Sequence, residues 1–157
     1  MQQKDTVNSP SIADISFLPT EGRIIAIDPG TKRIGVAVCD ELRVTTRPLT
    51  VLTRTSWKRL LESVKNIVEE FDAGALVIGL PLESDGTDSE MCIYARDIAR
   101  KFALSLEIPV YLQDERVTSY DAKGNLWSRG IIPVEARKLI DAEAAAIILA
   151  DFLDRIR

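Results

Sequence analysis

The chain has 157 residues, with 20 Lys and Arg, 24 Asp and Glu, two Cys and no His. This length suits one domain with a proper core, and 46% hydrophobic against 28% charged residues is a globular composition. The missing histidine excludes a Ser-His-Asp triad, a Cys-His dyad, a His general base and any His-ligated zinc, and two cysteines cannot complete a four-thiolate metal site.

Residues 1–21 are mixed and polar, punctuated by Pro10 and Pro19, and read as a flexible arm before a single domain over 22–157. The start lacks the apolar core of a signal peptide, and no run of 18 apolar residues exists to span a membrane. A cytoplasmic protein with Cys39 and Cys92 as reduced thiols is therefore expected. Arg23–Asp28 and Arg33–Cys39 are short apolar runs of strand type, joined by the turn sequence PGTK. Asp40–Glu41 makes a second turn into Arg43–Leu52, a Val- and Thr-rich strand that Pro48 pushes towards a sheet edge. Such short connections predict an antiparallel meander.

Ser56–Phe71 is helical in pattern: Trp57, Leu60, Leu61, Val64, Ile67, Val68 and Phe71 recur at three- and four-residue intervals. Thr55 or Ser56 can cap it, and Ala73-Gly74 ends it. Ala75–Leu80 is a buried strand, followed by the polar loop PLESDGTDS. Glu90–Leu106 reads as a helix with Ile93, Ala95, Ile98, Ala99 and Phe102 on its apolar side. Pro109–Leu112 begins a fifth strand that runs into Gln113-Asp114-Glu115-Arg116, Thr118–Ser128 is a helix weakened by Gly124, and Pro133–Ile156 is a long final helix. The order β-β-β-α-β-α-β-α-α predicts an α/β fold, a mixed five-stranded sheet covered by helices.

The net charge of -4 hides an asymmetry. Between Pro29 and Leu61 there are seven basic residues (Lys32, Arg33, Arg43, Arg47, Arg54, Lys58 and Arg59) against Asp40 and Glu41, so that segment carries +5 and the remainder -9. Each basic residue alone reads as solvated surface. Together they could form a phosphate-binding face on an acidic protein.

Three acids stand where surface acids are not expected. Asp28 closes the first strand, and Glu115 follows the fifth, at strand ends where ligand sites collect. Asp141 shares a stripe of the last helix with Ala145, Ile148 and Phe152, so it continues an apolar face. A buried carboxylate needs a partner, either an Arg or Lys or a metal. If the three acids converged they would repel, and a hard divalent cation would stabilise them. Two such ions about 4 Å apart suit phosphodiester hydrolysis, which needs no histidine. In the turn after Asp28, Gly30 can take φ > 0 and Thr31 can donate, so the backbone amides with Lys32 and Arg33 could hold a phosphate.

IIAIDPGTKRIGVAVCD, VIGLPLESDGT, DERVTS and LIDAEAAAIILADFL, in this order, resemble the bacterial YqgF family over roughly residues 22–156. Its members are described as Holliday junction resolvases and as nucleases that process the 5′ end of pre-16S ribosomal RNA. The resemblance implies an RNase H-like fold and a catalytic, metal-binding set of Asp28, Glu115 and Asp141, holding Mg²⁺ or Mn²⁺. It extends to Arg116, which could neutralise a phosphate or orient Glu115, and to Thr118, which could bind substrate or cap the next helix. Gly79, Pro81 and Gly86 match the loop after the fourth strand. Gly124 and Asn125 after the DER-x-T motif, and the long N-terminal arm, depart from the family pattern.

The leading expectation is thus a metal-dependent nuclease acting on structured nucleic acid, with precursor ribosomal RNA or pre-ribosomal particles as partner. Gly30, Thr31, Lys32, Arg33, Arg116 and Thr118 would contact substrate. Holliday junction resolution, which needs a dimer, is the alternative, so monomer and homodimer both stay open. D-x-G-T-x-x-x-G also resembles the phosphate loop of the actin and sugar-kinase ATPases, whose two lobes exceed this length. A non-catalytic module that binds RNA without metal-dependent cleavage is the remaining class.

Overall fold

A computed structural model describes residues 14–81, 89–115 and 134–157. Five strands form one sheet in the order β3-β2-β1-β4-β5: β1 Ile24–Pro29, β2 Arg33–Cys39, β3 Thr46–Thr53, β4 Ala75–Leu80 and β5 Val110–Asp114. β1, β2 and β3 are the expected antiparallel meander, while β1 pairs with β4, and β4 with β5, in parallel. The helices are α1 Trp57–Phe71, α2 Glu90–Ser105 and α3 Val134–Ile156. This is the mixed α/β sheet predicted from the element order. The helix expected over Thr118–Ser128 lies outside the described residues.

Strand alternation divides the apolar residues between two layers. Ile25, Ile27, Val36, Leu76 and Ile78 face α1 and α2, where Leu60, Val64, Ile98 and Phe102 meet them. Ile24, Ala26, Ala75, Val77 and Tyr111 face α3 and pack on Ile148, Leu149, Phe152 and Leu153. Cys92 belongs to the first layer and Cys39 to the second, so the sheet separates the two thiols. Burial pushes the Cys39 thiol up from its ordinary value, which keeps it protonated.

Several boundaries differ from the sequence reading, each for a local reason. β3 begins at Thr46 and not Arg43, because Arg43 takes a left-handed conformation with φ 59°. The Asp40 carboxylate closes that loop by accepting the Val44 and Thr45 amides, both at 2.7 Å. Pro48 does sit on an edge strand, and the β2–β3 register slips beside it, between Val36 and Ala37. Ser56 caps α1 by accepting the Arg59 amide at 3.2 Å, and the helix ends at left-handed Asp72, ahead of the expected Ala73-Gly74. On α2, Ile93 is exposed and Cys92 is buried in its place.

Of the arm, residues 14–21 are described. Ile15–Phe17 forms a 3-10 turn, Leu18 packs on the α3-side layer, and the Tyr111 hydroxyl donates to the Asp14 carbonyl at 3.1 Å. Among the described residues no helix is long and apolar enough to cross a membrane.

Candidate active site

β1, β4 and β5 run parallel, so their C-terminal ends lie along one edge of the sheet. Asp28 is the penultimate residue of β1, on the same face as Ile24 and Ala26, towards α3. Its neighbour across the antiparallel ladder is Gly35 of β2.

Gly35 joins strand and helix. A Cβ there would run into the carbonyl of Asp141, so the missing side chain lets the backbone of α3 rest on β2 at this point. Asp141 therefore lies over the strand residue paired with Asp28. The stripe read from sequence is correct, since Ala145, Ile148 and Phe152 are all buried. Asp141 continues that face with its side chain only 15% exposed.

The partner of Asp141 is Arg33. The Arg33 Nε donates to Asp141 Oδ2 at 2.7 Å in a partly buried ion pair. Of the two partners left open by the sequence, the structure supplies the cation of a side chain. Arg33 stands two residues before Gly35, on the same face of β2, which is how it reaches α3.

Glu115 follows β5, and its amide donates to the Leu80 carbonyl at 2.9 Å, holding it at the end of β4. It is buried, at 8% exposure. Alternation from Tyr111 through Gln113 puts it on the α3 side. β4 lies between β1 and β5, so about 10 Å of sheet separates the Asp28 and Glu115 strands. Asp28 and Asp141 are thus drawn together through Gly35, and Glu115 approaches the same edge from two strands away. Among the described residues, no three His, Cys, Asp or Glu side chains stand close enough as placed to hold one ion. The donors themselves are all carboxylate oxygens, the set that suits a hard divalent cation. Such an ion would compete with the Arg33 guanidinium for Asp141.

The turn after Asp28 also departs from expectation. Gly30 does not have positive φ; glycine is needed there because a Cβ would meet the Arg33 carbonyl. Thr31 and Lys32 are exposed beside it, available to an incoming anion. The basic segment is less uniform than its charge suggests. Arg33 is held by Asp141, and Arg43 donates to the Gly22 carbonyl at 2.8 Å. Arg47 lies over Phe71 but stays exposed, as do Lys32, Lys58 and Arg59. Gly79 at the end of β4 admits Ile148 of α3, whose methyl a Cβ would strike. Arg116, Thr118 and Gly86 lie outside the described residues.

Sequence reasoning did not find the role of Gly35. Its signal was present: a residue with no side chain inside the otherwise apolar run RIGVAVC marks a close backbone approach.

Residues 22–155 match the family described as "RuvX: Holliday junction resolvase". A curated relative from Syntrophus aciditrophicus (strain SB), named "Putative pre-16S rRNA nuclease", is 40% identical over 134 residues, covering 85% of this chain and 89% of its own length. A relative of the same name from Anaeromyxobacter sp. (strain K) is 38% identical over 133 residues, covering 85% of this chain and 97% of its own. Among solved structures, T. thermophilus RuvC in complex with Holliday junction substrate aligns at 21% identity, over 85% of this chain and 96% of that one, with a TM-score of 0.49.

Proposed function

This chain belongs to the RuvX family, and on that premise we propose that it is a nuclease that hydrolyses phosphodiester bonds, with precursor 16S ribosomal RNA as its substrate and Asp28, Glu115 and Asp141 as its catalytic acids. The observation that carries this reading is the approach of the Asp141 backbone to Gly35, the residue paired with Asp28, on the sheet edge that Glu115 also approaches. The relatives at 38–40% identity supply the substrate class.

Carboxylates alone would repel a phosphodiester. Mg²⁺ or Mn²⁺ held by Asp28, Asp141 and Glu115 would supply the positive charge that draws the phosphate in and stabilises the departing oxygen. The chain's own residues do the rest. Asp28 presents its carboxylate from a rigid strand in the middle of the sheet, which fixes it against the scissile phosphate. Glu115, buried just past the end of β5, adds its carboxylate to that edge. Arg33 holds Asp141 in place before substrate arrives and offers a cation to a phosphate oxygen when released. Lys32 and Thr31, exposed on the turn, meet the backbone next to the cleaved bond, and the family resemblance adds Arg116 and Thr118 as substrate-binding residues. With no histidine anywhere in the chain, proton removal from water falls to carboxylates or to the substrate phosphate. A cytoplasmic location accords with a ribosomal RNA substrate.

The test is cleavage of a 5′-extended pre-16S RNA with Mg²⁺ or Mn²⁺. Wild type shortens the 5′ end, and Asp28→Asn loses at least about a hundredfold in rate, the scale of removing one electrostatic partner of a transition state. An Asp28→Asn variant as fast as wild type overturns the assignment. The family's description favours a second reading, Holliday junction resolution. That activity needs two active sites related by a dyad. Cleavage of a synthetic four-way junction by a dimer, with pre-16S RNA left intact, would replace the first reading with this one.

A further inference from the structure

The basic run from Arg43 to Leu61 contains no acid, and only part of it is tied up in the fold. Its far end lines a pocket on the opposite layer from Asp28, a cavity of about 170 Å³ between the start of α1 and the side of α2. Arg54, Trp57, Tyr94 and Lys101 supply its chemistry. The Arg54 guanidinium carbon lies 3.5 Å from the centre of the Tyr94 ring, the spacing of a flat stack. The same guanidinium reaches the Gly30 and Thr31 carbonyls at 3.5 Å, and the Arg54 amide donates to the Lys32 carbonyl at 2.8 Å. Ring and carbonyls together set the plane of this cation in advance.

The opposite wall is built the same way. Trp57 packs edge-on against buried Phe102, with ring centres 4.7 Å apart, and the Lys101 ammonium stands 5.6 Å from the centre of the Trp57 ring. Asp97 pairs with Lys101 at 3.0 Å and with Arg100 at 3.1 Å, so this trio keeps a net positive charge. A planar guanidinium, an ammonium and aromatic rings around a small cavity form a surface for one unpaired nucleotide. Bases stack on arginine planes and on aromatic faces, and the phosphate meets the cations.

The geometry points to this pocket as a subsite for a single-stranded nucleotide of the substrate, its base stacked on the Tyr94-backed Arg54 guanidinium and its phosphate facing Lys101. Arg54 touches the turn that follows Asp28, so a strand crossing the end of the sheet runs from the pocket to the catalytic edge. The inference rests on the nucleic-acid reading above and assigns a separate place where a single-stranded segment is gripped. It gives the enzyme a preference for unpaired sequence next to the cut.

The experiment measures binding without cleavage. Full-length wild type, Arg54→Lys, Tyr94→Phe and Asp28→Asn are titrated with a 12-nucleotide single-stranded RNA and a blunt RNA duplex in EDTA, with fluorescence anisotropy as readout. Arg54→Lys keeps the charge and loses the plane, so its affinity for the single strand should fall about tenfold, the lower part of the range for one stacked base, with duplex affinity within twofold. Tyr94→Phe keeps the ring but removes the hydroxyl that contacts Arg54, so its loss should be smaller than that of Arg54→Lys. Equal losses for single strand and duplex, or no loss in Arg54→Lys, overturn the subsite. Asp28→Asn, which removes a carboxylate that repels phosphate, should bind the single strand no more weakly than wild type. If it also cleaves as wild type does while Arg54→Lys loses single-strand binding, the catalytic assignment fails and the subsite stands.

Discussion

Arg33 and Asp141 stand 108 residues apart in sequence and 2.7 Å apart in space, and the proposed catalytic edge turns on that pair. Replacing Arg33 by Met keeps the stem of the side chain and removes the charge that faces a carboxylate only 15% exposed. Arg33 itself is about one-third exposed, so the loss in stability should be about 1–2 kcal/mol, below that of a fully buried pair. Urea unfolding at neutral pH checks it. If Asp141 is a metal ligand, the same variant should bind Mn²⁺ more tightly by calorimetry, because the ion no longer displaces a guanidinium. Unchanged Mn²⁺ affinity would remove Asp141 from the metal site. Gly35→Ala is a second test at this scale. Its methyl group meets the Asp141 carbonyl, a backbone atom that cannot rotate away. A cost of about 3 kcal/mol is expected from forcing helix and strand apart, and Asp141 would move off Asp28, so cleavage should fall together with stability. The three acids were legible in sequence because each interrupts an apolar pattern or closes a strand. Arg33's bond to Asp141 was not, because no local rule links a strand residue to one helix turn so far along the chain.

Elements show the same division between local and distant information. The hairpin joining β2 and β3 is closed by Asp40, whose carboxylate accepts the Thr45 and Val44 amides. These bonds, with that from Thr45 foremost, hold its carboxyl below the usual aspartate range. The folded chain therefore binds this proton less readily than the unfolded chain. The contribution of Asp40 is complete above the ordinary aspartate pKa and is lost as pH falls through its lowered value. Asp40→Ala should lower the melting temperature at pH 7, and the gap from wild type should shrink on acidification. A gap that stays constant to the acid limit would contradict this origin. The helix α1 was readable almost to the residue because its apolar spacing and its Ser56 cap are both local signals. The start of β3 was misplaced because the loop depends on a side chain reaching forward four and five residues and on Arg43 taking φ 59°. On α2, Ile93 and Cys92 are adjacent and both apolar, so spacing alone could not choose which faces the sheet. The packing of α2 on β1, β4 and β5 chose Cys92. The mixed sheet itself followed from connection lengths, which separate hairpins from crossovers before any contact is known.

At the scale of the molecule, an acidic protein must hold an acidic polymer. The net charge of -4 opposes that at long range, while the Pro29–Leu61 segment favours it locally with +5. The structure reduces the effective size of that basic face. Arg33 is neutralised by Asp141, and Arg43 is turned inward to Gly22. Lys32, Arg47, Lys58 and Arg59 stay exposed, while Arg54 is half-buried and stacked on Tyr94 at the pocket. Four phosphate contacts from the exposed residues give a salt dependence for single-stranded RNA with a log–log slope of about -3. Counting all seven basic residues would give about -5. Anisotropy titrations between 50 and 200 mM KCl (about a fourfold change in salt) in EDTA distinguish the two, because four contacts predict a loss of roughly fiftyfold and seven a loss near a thousandfold. The shallow slope is the expected outcome. Lys58→Gln should lower it by about 0.7, the share of one released counterion, while Arg43→Gln should leave it unchanged because the Gly22 carbonyl already holds that guanidinium. A slope near zero would mean that no charged face grips the strand, and a slope near -5 would mean that the cations bound within the fold let go of their partners when RNA arrives.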